Sequence, residues 1–345
     1  MKKIIFAHIA ILITFTLAAC VSSGALIRPE EPEVKLVIYT SMYEEVILSV
    51  TEALEKQFPN YQIQFIYGGT GLIQSRIAGE RSAGRRLSAD IIMVGGASYA
   101  LEMKEAGMLH PFRSPEACNL AFDYDRDGYW YPVRISNVVL AFDPARTARE
   151  SVPASFLDFA NDTNFRGAIA MSNPLTSGTT RTAVATLGLK YGFDFYDALA
   201  AQNVAIETAA VALARLEAGE HRVVMTLEES VLQRRQEEGS KLEFIYPSDG
   251  TIMVPSTIMI VADKWSANSN TEAAEAVANW FLSPDGQNVI VDGWMHSVRR
   301  NFQRYPTGSI PTEQIRVKNM PVNWESNFRN KDEILLRFQE ALARR

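Results

Sequence analysis

Apolar residues along this chain switch between two spacings, and the switching outlines a fold. Residues 34–39 (VKLVIY) make a short run of β-favouring side chains. Val46, Ile47, Val50, Ala53, Leu54 and Phe58 then recur at helical spacing, with Glu44, Glu45, Glu52, Glu55 and Lys56 mostly off that face. Pro59-Asn60 stops the helix, and residues 61–67 alternate as a strand. The turn Gly68-Gly69-Thr70-Gly71 leads into a second amphipathic helix through Ile73, Ile77 and Ala78. Residues 89–94 (ADIIMV) read as a strand buried on both faces, and a helix over 99–105 ends at Gly107. This β-α-β-α-β-α order predicts an α/β protein with a mainly parallel, doubly wound sheet.

The second half continues the theme without sequence repetition. Strands are expected at 131–142, 168–171, 222–226, 242–246 and 256–261, and helices at 179–191, 195–201 and 211–218. The apolar segments 138–142 and 257–261 have the length to cross between two lobes. The chain after Ala273 turns strongly helical, and 331–345 reads as a C-terminal helix.

The first twenty residues have a different pattern. Lys2 and Lys3 precede a run over 4–17 of mostly Ile, Leu, Phe and Ala, the layout of a secretory signal peptide. His8, Thr14 and Thr16 interrupt the run, which is short for a membrane span. It ends in Leu17-Ala18-Ala19-Cys20, which resembles a bacterial lipobox. The expected layout is a signal peptide over 1–19, Cys20 acylated, and a tether over 20–33 rich in Pro, Ser, Gly and acids. An ordinary signal peptide with an incidental cysteine is the alternative. Acyl chains such as palmitate would hold the protein at a membrane surface.

Composition narrows the function. The chain has 345 residues, 47% of them hydrophobic and 21% charged, enough for two domains with real cores. The net charge of −6 becomes about −8 once residues 1–19 are removed, so no basic footprint points to nucleic acid. With Cys20 acylated, Cys118 has no intramolecular partner. The histidines, His8, His110, His221 and His296, are scattered, and no phosphate loop, dinucleotide fingerprint or nucleophile elbow occurs. Neither an enzyme nor a bound cofactor or resident metal is expected.

Turns that expose backbone N–H groups are the positive signal. Thr40-Ser41, Gly68–Gly71 and Ser177-Gly178-Thr179-Thr180 each lie where a helix is expected to open. Helix starts of this kind suit phosphate or carboxylate groups, and in open α/β sheets they lie where ligands bind. Arg181 would add charge at the third turn. Plain N-capping is the competing explanation, since Ser and Thr are favoured there regardless.

From residue 34 to about 302 the chain resembles the extracellular solute-binding proteins of bacterial ABC transporters, in the branch with iron(III)-, phosphonate- and sugar-phosphate-binding members. The resemblance rests on VIYTSMYEEV, IQFIYGGTGLIQSRI, ADIIMVGGASYALEMKEAGML, NPLTSGTTRTAVATL, LEAGEHRVVMTLEESV and FLSPDGQNVIVDGWMHSVRRNF. It implies a type 2 periplasmic binding protein fold: two α/β lobes, each a mainly parallel sheet flanked by helices, joined by two hinge strands around a ligand cleft. The expected lobes are 34–135 with about 256–298, and 136–255 with about 299–345. It also implies a monomer, lipid-anchored on the periplasmic or extracellular face of the cell membrane, that delivers solute to an ABC permease.

Departures from the family bear on the ligand. The iron(III)-binding members use a histidine, a glutamate and a tyrosine pair where this chain has Tyr43, Gly95-Gly96 and Glu228-Glu229. The leading expectation is a small anionic solute, a phosphorylated sugar or a phosphonate. Its anionic head would sit at Ser41, Thr70, Gly71, Ser177, Gly178, Thr179 and Thr180, with hydroxyl or amino groups near Glu228 or Glu229. The Glu pair is equally readable as a solvated helix start. Iron(III) binding is the alternative; an exported hydrolase or a non-transport surface lipoprotein is a further one. Arg299 and Arg300 read as surface residues, Tyr129-Trp130-Tyr131 as lobe packing, and His110 and His296 as structural.

Overall fold

The computed structural model describes residues 34–344. The signal peptide, the tether and Cys20 lie outside the described residues. Ten strands form one continuous sheet: β1 Val34–Thr40, β2 Tyr61–Tyr67, β3 Ile91–Gly95, β4 Leu109–His110, β5 Tyr131–Phe142, β6 Ile169–Ser172, β7 Ala205–Glu207, β8 Val223–Leu227, β9 Glu243–Ile245 and β10 Ile252–Val261. The order along the sheet is β2-β1-β3-β10-β5-β8-β6-β7, with β4 also on β10 and β9 on β5.

The sheet consists of two parallel halves joined by an antiparallel pair. In the first lobe β2, β1 and β3 run parallel, and in the second β8, β6 and β7 do the same. β5 and β10 pair antiparallel with each other and with the inner strand of each half. Each half is covered on both faces, as parallel strands require. In the first lobe, Leu36, Ile38, Ile91 and Met93 pack under helices Glu44–Gln57 and Thr271–Leu282. Ile92 and Val94 face Ile73, Ile77 and Met103 on the other side. In the second lobe, Leu140, Phe142 and Met171 meet helices Gly178–Tyr191, Asp194–Ala201 and Lys331–Ala343, while Ala170 and Val224 meet Leu213, Leu216 and Val231.

The two long strands are the lobe connections, but the crossing lies nearer their middles than the sequence suggests. Tyr131, Val133 and Ile135 pack in the first lobe, whereas Val138, Leu140 and Phe142 pack in the second. Likewise Ile252 and Val254 belong to the second lobe and Ile258 and Ile260 to the first. The change-over therefore falls at Ser136-Asn137 and Pro255-Ser256, with a register shift between Ser256 and Thr257. Segments 138–142 and 257–261, expected to cross, lie inside one lobe each, on β8 and β3. Strand β10 begins at Ile252, ahead of the expected 256, and so includes Pro255, a residue disfavoured in a central strand. It is accommodated next to the irregularity, and its carbonyl accepts the Gly96 N–H at 2.8 Å.

Candidate functional site

The lobes meet where the carboxyl ends of β1, β2 and β3 face the turns after β6 and β8. The contact is close. Gly71 N–H donates to the Thr176 carbonyl at 3.1 Å, and Arg181 Nη1 donates to Gln74 Oε1 at 3.0 Å. Tyr43 Oη and Ser230 Oγ share a hydrogen bond of 2.8 Å. A Cβ on Gly178 would lie 2.4 Å from the Gly95 carbonyl oxygen and 2.6 Å from Thr70 Oγ1. This is the arrangement of a cleft closed upon itself.

Gly178 gives a direct test of that closure. Its alanine variant keeps a good helix former, so the fold should hold, but backbone against Cβ at 2.4 Å cannot relax by side-chain movement. Gly178→Ala is expected to weaken solute affinity about 10-fold by disfavouring the closed form. Small-angle scattering should show less compaction on adding solute than in the parent protein; equal compaction would refute the close approach.

The residues expected to hold an anion fall into different roles. Ser177 caps helix Gly178–Tyr191, its Oγ accepting from Thr180 N–H at 3.2 Å and from Thr180 Oγ1 at 3.0 Å. Thr179 Oγ1 shares a 2.9 Å bond with the same oxygen, so the three hydroxyls occupy one another. Thr70 Oγ1 accepts the Gly95 N–H at 3.3 Å. Thr40-Ser41 does not cap a helix as expected: helix Glu44–Gln57 begins after Tyr43, with no side-chain cap, and Thr40 Oγ1 accepts the Met42 N–H at 3.0 Å. Arg181 donates to the carbonyls of Pro174 and Leu175 and braces the turn before Ser177.

The two glutamates separate cleanly. Both are buried at the start of helix Glu228–Glu237. Glu228 is fully used: its carboxylate accepts from Asn137 Nδ2 at 2.7 Å and Tyr246 Oη at 2.6 Å, with His296 Nε2 at 3.1 Å. Burial drives its pKa upward, but the bonds from His296, Ser309 and Tyr246 outweigh this and hold it below the usual carboxylate range. Glu229 is as deeply buried, yet its Oε1 has no partner. Burial pushes its carboxyl up to about 7, against the pull of Ser136, its own backbone amide and Arg134.

Arg134 is the residue that sequence reading passed over. It is the one charge in the strand YPVRISNVVLAF and is 3% exposed. Nη1 reaches Met295 Sδ at 2.8 Å, Nη2 donates to Ser41 Oγ at 3.3 Å, and Nε has no partner. Among the described residues no carboxylate lies within ion-pair distance of it. Burial lowers its pKa, while Glu229, Tyr43 and Tyr67 act in the opposite direction. A buried guanidinium without a paired anion costs several kcal/mol, so Arg134 marks a place where an anion would be held. The sequence signal was available: a single charge in a long, largely apolar strand that must be buried on both faces.

The remaining candidates are structural. Arg299 pairs with Glu116 and Arg300 donates to the Leu120 carbonyl. Trp130 and Tyr131 are buried in the first lobe, with Tyr131 Oη donating to the Phe112 carbonyl at 2.7 Å. His110 binds Glu275 at 2.7 Å. Among the described residues, no cluster of three His, Cys, Asp or Glu side chains forms a metal site, and no helix is long and apolar enough to cross a membrane.

Known proteins place this architecture. The sequence pattern of bacterial extracellular solute-binding proteins matches residues 87–331. A probable ABC transporter periplasmic-binding protein of Sinorhizobium fredii is 23% identical over 280 residues, covering 77% of this chain and 75% of its own. Among solved structures, iron-bound HitA of Pseudomonas aeruginosa has a TM-score of 0.78 at 19% identity, over 89% of this chain and 99% of that one. The binding protein AfuA of Actinobacillus pleuropneumoniae, with fructose-6-phosphate bound, has a TM-score of 0.77 at 19% identity, over 90% and 99%. These structures share the two-lobed type 2 fold, and with its family pattern running through both lobes and the hinge, the chain belongs to the bacterial extracellular solute-binding proteins.

Proposed function

We propose that this protein is the solute-binding component of an ABC importer and captures a small anionic solute carrying hydroxyl or amino groups, a phosphorylated sugar or an aminoalkylphosphonate. The observation that carries the reading is Arg134: a buried cation in the hinge strand, without an ion-pair partner and with a free Nε. The anionic group sits at Arg134, Ser41 and Tyr43, and Glu229 Oε1 receives a hydrogen bond from a solute hydroxyl or ammonium. Thr70, Gly71 and Ser177–Thr180 form the closure contact around it. Glu228 fixes the start of its helix through Asn137, Tyr246 and His296.

The action is capture, with no bond made or broken. Contacts from both lobes exist together only in the closed form, so the solute stabilises closure about Ser136-Asn137 and Pro255-Ser256. The closing bodies are 34–135 with 256–298, and 136–255 with the C-terminal helix Lys331–Ala343; the stretch from Arg299, expected in the second lobe, bonds to Glu116 and Leu120 and moves with the first. Acylated Cys20 and the tether hold a monomer beside its permease on the outer face of the cell membrane.

Thermal shift against matched pairs tests the reading. Sugar phosphates or aminoalkylphosphonates at 100 times Kd should stabilise the protein by about 2.7 kcal/mol, whereas the corresponding free sugars should leave Tm unchanged. A flat response to every anionic compound, with a coloured complex formed on adding ferric salt, would instead support iron(III) binding.

A further inference from the structure

The edge of the first lobe opposite the cleft carries cations that no carboxylate pairs. Lys35 opens β1, Arg81, Arg85 and Arg86 lie where helix Thr70–Ser82 returns towards β3, and Lys264 follows β10. Hydrogen bonds gather these turns at the amino ends of the parallel strands. Asn270 Nδ2 donates to the Lys35 carbonyl at 2.8 Å, Arg86 Nη1 to the Ser266 carbonyl at 3.4 Å, and Leu87 N–H to the Trp265 carbonyl at 2.7 Å. All of these cations are exposed, and among the described residues none has a carboxylate within ion-pair distance.

The acids of the same turns do not cancel them. Glu80 and Asp90 are buried and engaged, Glu80 by Tyr39 and Arg76, Asp90 by the Val37 N–H, Ser266 and Asn268. Asp263 and Glu272 are the exposed acids, set against Lys35, Arg81, Arg85, Arg86 and Lys264. Farther along the edge Lys104 is matched by Asp125 and Asp127, so the excess stays local. A helix end favours a cation in its last turn, which accounts for Arg81. Lys35, Arg85, Arg86 and Lys264 lie outside any helix, so that explanation does not reach them. In a chain of net charge −6, such a patch is a feature of placement and not of composition.

We propose that this edge rests on anionic phospholipid headgroups while the protein is anchored. The inference rests on acylation of Cys20, and the place where the tether joins the fold supports it: the chain enters at Val34, next to Lys35, on this same edge. Residues 21–33 reach at most about 45 Å when extended, which keeps the edge near the membrane. Headgroup charge then attracts the exposed Lys and Arg within about a Debye length. The half-buried Trp265 suits the headgroup level on the same edge. From Val34 to Thr40, β1 runs about 20 Å towards the cleft. The patch therefore holds the cleft away from the lipid, open to solute, and turning the cleft to a permease requires its release.

Hydrogen exchange on the acylated, full-length protein in vesicles tests this. In phosphatidylcholine with about one-third phosphatidylglycerol, amides of 81–88 and 263–268 should exchange about 10-fold more slowly than in phosphatidylcholine alone. Salt at about 0.5 M should remove the difference, and the cleft rim, 67–72 and 173–177, should not change. Combining Arg81→Glu, Arg85→Glu and Arg86→Glu should abolish the slowing and leave the solute Kd within about two-fold, since the cleft is distant. The proposal fails if both vesicles give equal exchange, if the slowing falls on the cleft rim, or if the triple variant behaves as the parent. Equal protection in both vesicles that is lost with Glu30→Gln, Glu31→Gln and Glu33→Gln would assign the cations to the acidic tether and also overturn it. Should the triple variant fail to fold, the salt series on the unaltered protein decides. Acylation is read separately. A protein that sediments with neither vesicle overturns the anchor and this inference with it, whereas one that sediments with both and shows no slowing overturns the patch alone.

Discussion

Replacing Arg134 with methionine is expected to lower affinity for the anionic solute by about 10²–10³-fold while raising the stability of the unliganded protein. The two effects have one cause. Without solute, the guanidinium is buried with a thioether, one hydroxyl and no carboxylate as partners. Swapping a buried charge for a well-packed apolar side chain of similar length is often stabilising by about 1–4 kcal/mol. With solute, the same charge is compensated, and removing one member of a buried charge pair costs about 3–5 kcal/mol, which is the affinity loss stated. Calorimetric titration and differential scanning calorimetry of the variant read both quantities. A purely structural arginine would behave oppositely, with a lower Tm and affinity retained within a few-fold. The opposed signs are therefore diagnostic, and lysine should not rescue binding fully, because a point charge cannot span Ser41 and the solute as the planar fork does.

The alternation of helix and strand was legible because each lobe is a run of β-α units whose buried faces repeat at period 3.6 or form continuous apolar strands. Thus 61–67 and 131–142 match β2 and β5 to the residue. Elements too short to show a period were missed: β7 at Ala205–Glu207, β4 at Leu109–His110 and helix Trp324–Arg329. The last of these carries Asn327, 4% exposed and unpartnered, and nothing in NWESNFR distinguishes a buried amide from an exposed one. The site was legible only in outline. Adjacent residues on a helix point about 100° apart, so Glu228 and Glu229 meet different surroundings, and only the positions of Asn137, Tyr246 and His296 decide which is engaged. The serine and threonine turns looked like anion cradles because their chemistry suits both capping and binding. Ser177, Thr179 and Thr180 spend it on each other.

Glu229→Gln should flatten the pH dependence of stability between pH 5 and 7. The folded carboxyl titrates at about 7 against a reference of 4.5. Between those values the folded protein retains a proton that the unfolded chain has released, so stability falls as pH rises through this window and levels off above it. At 1.36 kcal/mol for each pH unit, the full loss is about 3 kcal/mol. Glutamine keeps the neutral amide shape and never ionises, so the variant should match the parent near pH 4.5 and exceed it by about that amount at pH 8. Denaturant melts across the range measure this directly; a parent protein equally stable at pH 5 and pH 8 would rule out the buried, unpaired Glu229 carboxyl. The same proton reports on the solute. An anion settling beside Arg134 opposes ionisation of Glu229, so binding at pH 7–8 should take up a proton, and affinity should weaken as pH rises further. Calorimetry in buffers of different ionisation enthalpy detects that uptake. In Glu229→Gln it should vanish, while the affinity for the anionic group survives at high pH, because Arg134 remains to hold it.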